Sequence, residues 1–287
     1  MGAVAQRAET LLGTPVVATT PVAGGDICTS TRLRLSDGRS ALIKTRPHAP
    51  DGFFPHEAAG LRWLTEARDT GGVDVPEVLA VENDCLVLAW VETVKPSVEA
   101  AEIFGRSLAA THAAGAPGFG LDDGDGFIGT LPLPNRTAPT WPDFYATRRV
   151  LPYLKLAADR HHIEPDDAAA VEGVVRRIVD LAGPEEPPAR LHGDLWAGNI
   201  LWGTDGRVWL VDPAAHGGHR ETDLAMLALF GCPQLPRVLE AYLEVAPLSD
   251  GWENRVPLHQ LFPLLVHTCL FGGGYGARAG EAARRLG

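Results

Sequence analysis

Residues 191–199 read LHGDLWAGN, and a short interval later the chain carries the pair Asp212-Pro213. The first stretch has the spacing His-x-Asp-Leu-x-x-x-Asn, in which the acidic residue is Asp194 and the amide is Asn199. Apolar segments flank an Asp-Gly pair at 205–206, so a β-hairpin is predicted between the two parts. This hairpin would return the chain so that both carboxylates and the amide meet.

This spacing is typical of the catalytic loop and metal-binding aspartate of kinase-type phosphotransferases. Asp194 would accept the proton of a substrate hydroxyl. Asn199 and Asp212 would reach Mg²⁺ from two sides, because Mg²⁺ prefers oxygen ligands and bridges the phosphates of ATP. The sequence therefore predicts Mg²⁺- and ATP-dependent phosphoryl transfer.

The N-terminal part supplies a lysine for the phosphates. A hairpin is predicted over residues 31–35 and 40–44, and a helix over 55–67. Glu57 lies on the inward stripe of this helix, and a buried carboxylate needs a partner. Lys44 is the only lysine in the predicted strands of this part, so a Lys44–Glu57 pair that orients the ATP phosphates is expected.

Two glycines, Gly24 and Gly25, precede the hairpin and are candidates for a loop that covers the phosphates. The full G-x-G-x-x-G pattern is absent, so fewer backbone amides are expected to bind the phosphates there.

The predicted fold class is α+β with two lobes: a small N-lobe with an antiparallel sheet, residues 1–91, and a larger helical C-lobe, residues 92–287. The first ninety residues read mostly as strand, and a buried strand is predicted over 85–91. A long loop at 116–142 is a candidate substrate rim. Helices are predicted over the following segments: 98–114, 144–159, 166–182 and most of the chain after 211.

Composition excludes several classes of protein. The net charge of −11 and the pI of about 5.3 argue against nucleic acid as a partner. The longest apolar stretch, residues 261–271, is too short for a membrane helix, and no signal peptide or C-x-x-C pair is present. We therefore expect a cytoplasmic protein with no membrane partner and reduced cysteines.

The interval between Asp212 and Asp223 defines the acceptor class. Only ten residues separate them, whereas a protein kinase carries a long activation segment at this point. The expected acceptor is therefore a small molecule or a small adduct rather than an extended peptide.

Several motifs resemble the fructosamine kinase (ketosamine kinase) family over residues 15–275. They are HGDLWAGNILW at 192–202, VWLVDPAAHGGHRETDLAMLALFG at 208–231, FPHEAAGLRWL at 54–64, FIGTLPLPN at 127–135 and LFPLLVHTCLFGGGY at 261–275. The resemblance implies a two-lobed kinase-like fold and ATP-dependent phosphorylation of the third sugar carbon of a ketosamine. The phosphorylated product is unstable and releases the amine, so the activity reverses glycation. The acceptor would be a small-molecule or protein-bound ketosamine.

The resemblance also assigns residues by position. It implies that Asp194 is the catalytic base, that Asn199 and Asp212 bind Mg²⁺, and that Lys44 and Glu57 orient the phosphates. Asp223 resembles the buried aspartate that braces the catalytic loop, which opens at His192. Trp90, Val91 and Glu92 lie where the connector that binds adenine is expected.

Acceptor contacts are expected from residues close to the two aspartates. Trp196 is predicted either to stack on the sugar or to pack as a core aromatic. His219 and Glu221 are acceptor candidates, and a cationic amine would fit a pocket lined by Asp194, Asp223 and Glu221. His216 and His219 lack a third ligand at a suitable spacing, so no metal site is predicted there.

The sequence has two features that differ from or add to the family pattern, and two alternative functions are considered. Ala215-His216 stands where family members often carry two aromatic residues, and Cys28 in the phosphate-covering loop is either a small loop residue or a redox-sensitive thiol. The chain is alternatively a small-molecule kinase of the aminoglycoside or choline type. A nucleotide-binding pseudokinase scaffold is disfavoured, because the lysine, the base and the metal aspartate are all present.

Overall fold

The computed structural model describes residues 2–23, 27–122 and 124–287. Its N-terminal region carries a five-stranded antiparallel sheet in the order β1-β2-β3-β5-β4. The strands are β1 (Val16–Val22), β2 (Thr29–Leu35), β3 (Ser40–Thr45), β4 (Val78–Glu82) and β5 (Cys85–Ala89). Strands β2 and β3 are the predicted hairpin, and β5 is the strand predicted over 85–91.

Each face of this sheet is covered by a helix. Side chains alternate between the faces, so Ile43 and Val87 point to one side while Leu86 and Leu88 point to the other. Helix α1 (Ala3–Leu12) packs on the first face and α2 (Phe53–Thr65) on the second.

Helix α1 corrects the expectation that the first ninety residues are mostly strand. Ala5 and Ala8 are fully buried, and Leu11 and Leu12 pack against the same cluster. Helix α1 is amphipathic but short, and because its buried residues are small alanines, the sequence gives only a weak indication of a helix. Helix α2 occupies the helix predicted over 55–67, with its bounds shifted by two residues.

The C-terminal region is mainly helical. Its helices are α3 (Val98–Ala113), α4 (Trp141–Phe144), α5 (Leu151–Asp159), α6 (Pro165–Arg176), α7 (Ile178–Leu181), α8 (Glu221–Phe230), α9 (Leu235–Val245), α10 (Trp252–Phe271) and α11 (Tyr275–Arg284). A large hydrophobic cluster is formed mainly by α5, α6, α10 and α11. A second cluster joins α3, α8 and α9 to α2 and the sheet.

Short strands carry the functional segments. They are β6 (Gly126–Ile128), β7 (Leu131–Leu133), β8 (Ala189–Leu191), β9 (Ile200–Trp202), β10 (Val208–Leu210) and β11 (His216–Gly218). Strands β9 and β10 form the predicted second hairpin, and β11 pairs with β8, so that the two ends of the segment 192–215 lie together. The hairpin of β6 and β7 lies inside the loop predicted over 116–142.

Two predicted helices differ from the structure. The helix predicted over 144–159 begins at Trp141, because the Thr140 side chain accepts a hydrogen bond from the Asp143 backbone and caps it. A π-helical turn, Tyr145–Val150, connects α4 to α5. The helix predicted over 166–182 is interrupted at Arg177, where the backbone leaves the helical region (φ −114°, ψ 13°).

The fold class is confirmed as α+β, with an antiparallel sheet followed by a helical region. The lobe boundary between residues 91 and 92 stays a prediction, and it falls just after β5. Among the described residues, no helix is both long enough and apolar enough to cross a membrane.

Candidate active site

The predicted catalytic loop, which begins at His192, leaves β8 through a glycine turn that admits no side chain. Gly193 has φ 81°, and a Cβ there would lie 2.2 Å from the carbonyl oxygen of Ala214. The Asp223 carboxylate accepts hydrogen bonds from the backbone amides of His192 (2.8 Å) and Gly193 (2.9 Å). Burial alone would raise the pKa of Asp223, but His112, the His192 side chain and the Gly193 amide lower it, so the brace is a charged carboxylate.

His112 supports this brace from α3, and no local sequence pattern indicates that role. Its Nε2 lies 3.2 Å from Asp223 and its Nδ1 lies 2.9 Å from the hydroxyl of Tyr242. Because a carboxylate only accepts, Nε2 carries the proton and Tyr242 donates to Nδ1. The His192 side chain connects the start of the loop to the end of the second hairpin, since its Nε2 donates to the Val211 carbonyl over 2.9 Å.

Asp194 lies beside Asn199, as the spacing predicts. The Asn199 Nδ2 donates to the Asp194 carbonyl oxygen (2.8 Å) and to its carboxylate (3.2 Å). Burial, and then the nearby Asp212 carboxylate, raise the pKa of Asp194 to about 7. A carboxyl group with this pKa can exchange a proton near neutral pH.

Lys44 joins the two regions of the molecule. Its Nζ donates to both Glu57 oxygens (2.7 and 2.8 Å) and to Asp212 (2.7 Å). Burial lowers the pKa of Lys44, but the two carboxylates raise it further, so the ammonium remains charged. The geometry that the pair needs is therefore present, with Glu57 delivered by the inward face of α2.

The side chains at this point suit a magnesium ion. Asp212 follows β10 in a left-handed conformation (φ 55°), and its carboxylate is 48% exposed. Because Asn199 uses its Nδ2 toward Asp194, its amide oxygen is left as an acceptor. Carboxylate and amide oxygens on the same hairpin are the ligand types that Mg²⁺ prefers, so the residues fit the ion.

These groups line one cavity of about 1770 Å³. Its walls include Lys44, Glu57, Asp194, Trp196, Asn199 and Asp212. Much of the segment predicted as a substrate rim also lines it, from Pro117 to Pro139 with interruptions. The predicted long loop therefore lies on the wall of the cavity.

Trp196 does not pack in the core. Its side chain lines the cavity, the residue is 40% exposed, and its indole lies over Gly198, where a Cβ would come within 2.3 Å. The core alternative is excluded, and stacking on a ligand stays a prediction.

The connector candidates lie off the described cavity wall. The Arg32 guanidinium lies 4.5 Å from the Trp90 ring and pairs with the Glu92 carboxylate, and the Glu92 carbonyl accepts from Thr204 (3.0 Å). Val91 lies between them in sequence. Gly24 and Gly25 lie outside the described residues. Cys28 lines the cavity, but burial raises the pKa of its thiol, which disfavours a reactive thiolate.

The expectation that Asp223 and Glu221 line an acceptor pocket is wrong. The Asp223 carboxylate already accepts hydrogen bonds from the loop at His192 and Gly193. Glu221 is buried and pairs with Arg255 through two hydrogen bonds (2.6 and 3.0 Å). Burial raises the pKa of Glu221, but contacts with His259 and Arg255 lower it to about 2.

His219 is buried as well and does not reach the cavity. Its ring packs 5.1 Å from Trp141 and 4.9 Å from His259, so acceptor contact by His219 is also corrected. One ligand atom from each of His219, Glu221 and His259 falls within 4.8 Å of the others. The Arg255 guanidinium already neutralises Glu221, and its positive charge opposes a cation at this point.

Comparisons with known proteins identify the family of the chain. The sequence model described as "Fructosamine kinase" matches residues 1–286. A "probable ketoamine kinase" of Thermus thermophilus is 39% identical over 257 residues, which cover 89% of this chain and 88% of the relative. The chloroplastic protein-ribulosamine 3-kinase of Arabidopsis thaliana is 32% identical over 90% of this chain and 79% of its own length.

Solved structures agree as well. A "putative fructosamine-3-kinase" from Thermobifida fusca is 49% identical, with a TM-score of 0.93 over 99% of this chain and 98% of that protein. An ADP-bound aminoglycoside phosphotransferase shares the fold at 12% identity, with a TM-score of 0.62 over 100% of this chain and 99% of that one. The resemblance carried by the motifs is therefore confirmed, and the chain belongs to the fructosamine kinase family.

Proposed function

We propose that this protein transfers the γ-phosphoryl group of ATP to a sugar hydroxyl of a ketosamine, with Mg²⁺ as cofactor. The observation that carries the proposal is that Asp194, Asn199 and the Lys44–Asp212 pair line one cavity. The family assignment supports ATP as the phosphoryl donor. The cavity lies where the proposed lobes, residues 1–91 and 92–287, face each other.

The chain's residues divide the reaction between them. Lys44 binds phosphate oxygens while Glu57 holds its ammonium in place. Asn199 and Asp212 would hold Mg²⁺, which neutralises phosphate charge and polarises the transferred group when bound. Asp223 and His112 keep the catalytic loop fixed, so that the Asp194 carboxylate stays directed into the cavity.

Asp194 acts on the acceptor. As the sugar oxygen forms its bond to the γ-phosphorus, its O–H proton passes to the Asp194 carboxylate and the bond from phosphorus to the ADP oxygen breaks. A pKa of about 7 leaves enough of this carboxylate ionised at neutral pH to accept the proton. Trp196 offers an exposed aromatic face beside it for the sugar.

Two features support a ketosamine as the acceptor. A curated relative is named as a ribulosamine kinase. The amine of a ketosamine is cationic, and the ionised Asp194 carboxylate gives the cavity wall a negative charge that would attract it. Both a small-molecule and a protein-bound ketosamine present this group.

The test is ATP consumption with Mg²⁺ against fructoselysine, ribuloselysine, an aminoglycoside, choline and no acceptor. We expect turnover only with the ketosamines. Turnover of the aminoglycoside or choline alone would refute the ketosamine assignment. Loss of all turnover while ATP still binds would indicate a scaffold rather than an enzyme.

A further inference from the structure

One part of the cavity wall carries polar side chains to which the proposed function assigns no role. It is formed by His56 on α2, by Gly126 at the start of β6 and by Asn135 just after β7. These three residues define what we call the Gly126 subsite. It belongs to the cavity of Asp194, so the inference rests on the proposed function.

Asn135 is fixed on every side except one. Its backbone amide donates to the Asp125 carboxylate (2.9 Å) and its carbonyl oxygen accepts from Leu121 (2.8 Å). Its side-chain oxygen accepts from the Arg149 guanidinium over 2.7 Å. Since arginine only donates, the amide orientation is determined, and Nδ2 must point away from Arg149.

Arg149 is costly to bury, which indicates that its position matters. It is 1% exposed and lies in the π-helical turn, and its guanidinium carbon is 4.5 Å from the centre of the Phe144 ring and 5.3 Å from that of Phe262. Its described hydrogen bonds go to Asn135 and to backbone carbonyls, and none goes to a carboxylate. The burial of Arg149 without a carboxylate partner is explained if its role is to orient the side-chain amide of Asn135.

The free Nδ2 of Asn135 faces Gly126. A Cβ on Gly126 would lie 3.5 Å from this nitrogen and 3.9 Å from the His56 ring. Among the described residues, the Asn135 Nδ2 has no acceptor within hydrogen-bonding distance. The glycine therefore leaves open the space into which the amide donates.

His56 presents the opposite hydrogen-bonding character. Its Nδ1 lies 2.8 Å from the Gly52 carbonyl, which only accepts, so Nδ1 carries the proton. In the neutral ring this leaves Nε2 as an acceptor. That nitrogen lies 3.9 Å from the position of a Cβ on Gly124, and the adjacent ring carbon Cδ2 lies 3.9 Å from that of a Cβ on Gly126, so the imidazole edge borders the wall at both glycines.

A donor and an acceptor around one open space match a hydroxyl group, which needs one of each. We propose that the Asn135 amide and His56 Nε2 bind one hydroxyl of the acceptor's sugar chain at Gly126. Arg149 is a positioning residue that orients the Asn135 amide. The ligand class is thus a polyol chain, and the subsite distinguishes acceptors by the position and number of their hydroxyls.

Two variants test this without disturbing the fold. Gly126→Ala would fill the space with a methyl group at ordinary contact distances and without backbone strain. Asn135→Asp would keep the contact with Arg149 and strengthen it by charge, but would replace the donor with an acceptor. Gly118→Ala is the matched control, because it places a methyl group elsewhere on the same cavity wall, 3.5 Å from Thr137.

The measurement is KM for ketosamines of four-, five- and six-carbon sugars, with KM for ATP and the thermal midpoint alongside. For ketosamines that carry the bound hydroxyl, we expect the two variants to raise KM by roughly tenfold, the value of one lost hydrogen bond, and the control to change it little. KM for ATP should not rise, and the thermal midpoint should not fall, with either variant. Arg149→Lys should raise the same acceptor KM with kcat nearly kept.

An acceptor KM within twofold of the wild type for both variants, or a rise in KM for ATP instead, would overturn the subsite. Absence of ketosamine turnover by the wild type would refute the proposed function itself, and the subsite would fall with it. The two failures are therefore distinguishable.

Discussion

Replacing Asp223 by asparagine should loosen the catalytic loop. Its two oxygens accept from the backbone amides of His192 and Gly193 and from the His112 ring. In asparagine one of these oxygens becomes an NH₂ group, so a buried backbone N–H faces another donor. Loss of a charge-assisted bond and one unsatisfied buried donor together cost roughly 2–4 kcal/mol of unfolding free energy.

Urea unfolding followed by tryptophan fluorescence would measure this loss, and initial rates with a ketosamine would measure kcat. We expect kcat to fall together with stability while ATP still binds, because the lysine pair is untouched. Asp205→Asn is the control: it makes a similar bond to a backbone amide (3.1 Å), but in an exposed turn. A variant at Asp223 with stability within about 0.5 kcal/mol of the wild type and unchanged kcat would refute the brace.

Three further predictions test the packing and electrostatics. Gly105→Ala should destabilise by about 1–3 kcal/mol or more, because its Cβ would lie 2.2 Å from the Val238 carbonyl, whereas Gly173→Ala in α6 should stabilise by roughly 0.5–1 kcal/mol in the same thermal assay. The pKa of Glu221 is about 2 in the folded state against an ordinary value of 4.5, so its contribution to stability is present above pH 4.5 and is lost as the pH falls toward 2. The stability of Glu221→Gln should therefore depend less on pH in this range than that of the wild type, as circular dichroism would report. Lys44→Met should weaken ATP binding in calorimetry and leave acceptor binding unchanged.

The catalytic constellation could be predicted from sequence because its parts are local. The positions of Asp194, Asn199 and Asp212 are fixed by one loop and one hairpin, and the Asp-Gly turn of that hairpin at 205–206 can be recognised in the sequence. The Lys44–Glu57 pair was predictable for a different reason: helical periodicity placed the glutamate inside, and only one strand lysine was available to neutralise it.

The roles that could not be predicted from sequence depend on partners distant along the chain. Nothing near Glu221 shows that Arg255 will neutralise it, so its charge looked available to an acceptor. His112 on α3 contacts Asp223 on α8, and no local sequence pattern predicts this contact. His56 and Asn135 lie in the motifs at 54–64 and 127–135, but their roles depend on the orientation of an imidazole and an amide, which hydrogen bonds to other residues determine.

The central claim is that Asp194 is the base of a ketosamine kinase. The most direct measurement is phosphate transfer from ATP to ribuloselysine with Mg²⁺, followed by ³¹P NMR, for the wild type and for Asp194→Asn. We predict a sugar phosphate with the wild type, a rate about 10²–10⁴-fold lower with the variant, and ATP binding nearly equal in both. Wild-type turnover by Asp194→Asn, or no sugar phosphate from the wild type, would contradict the account.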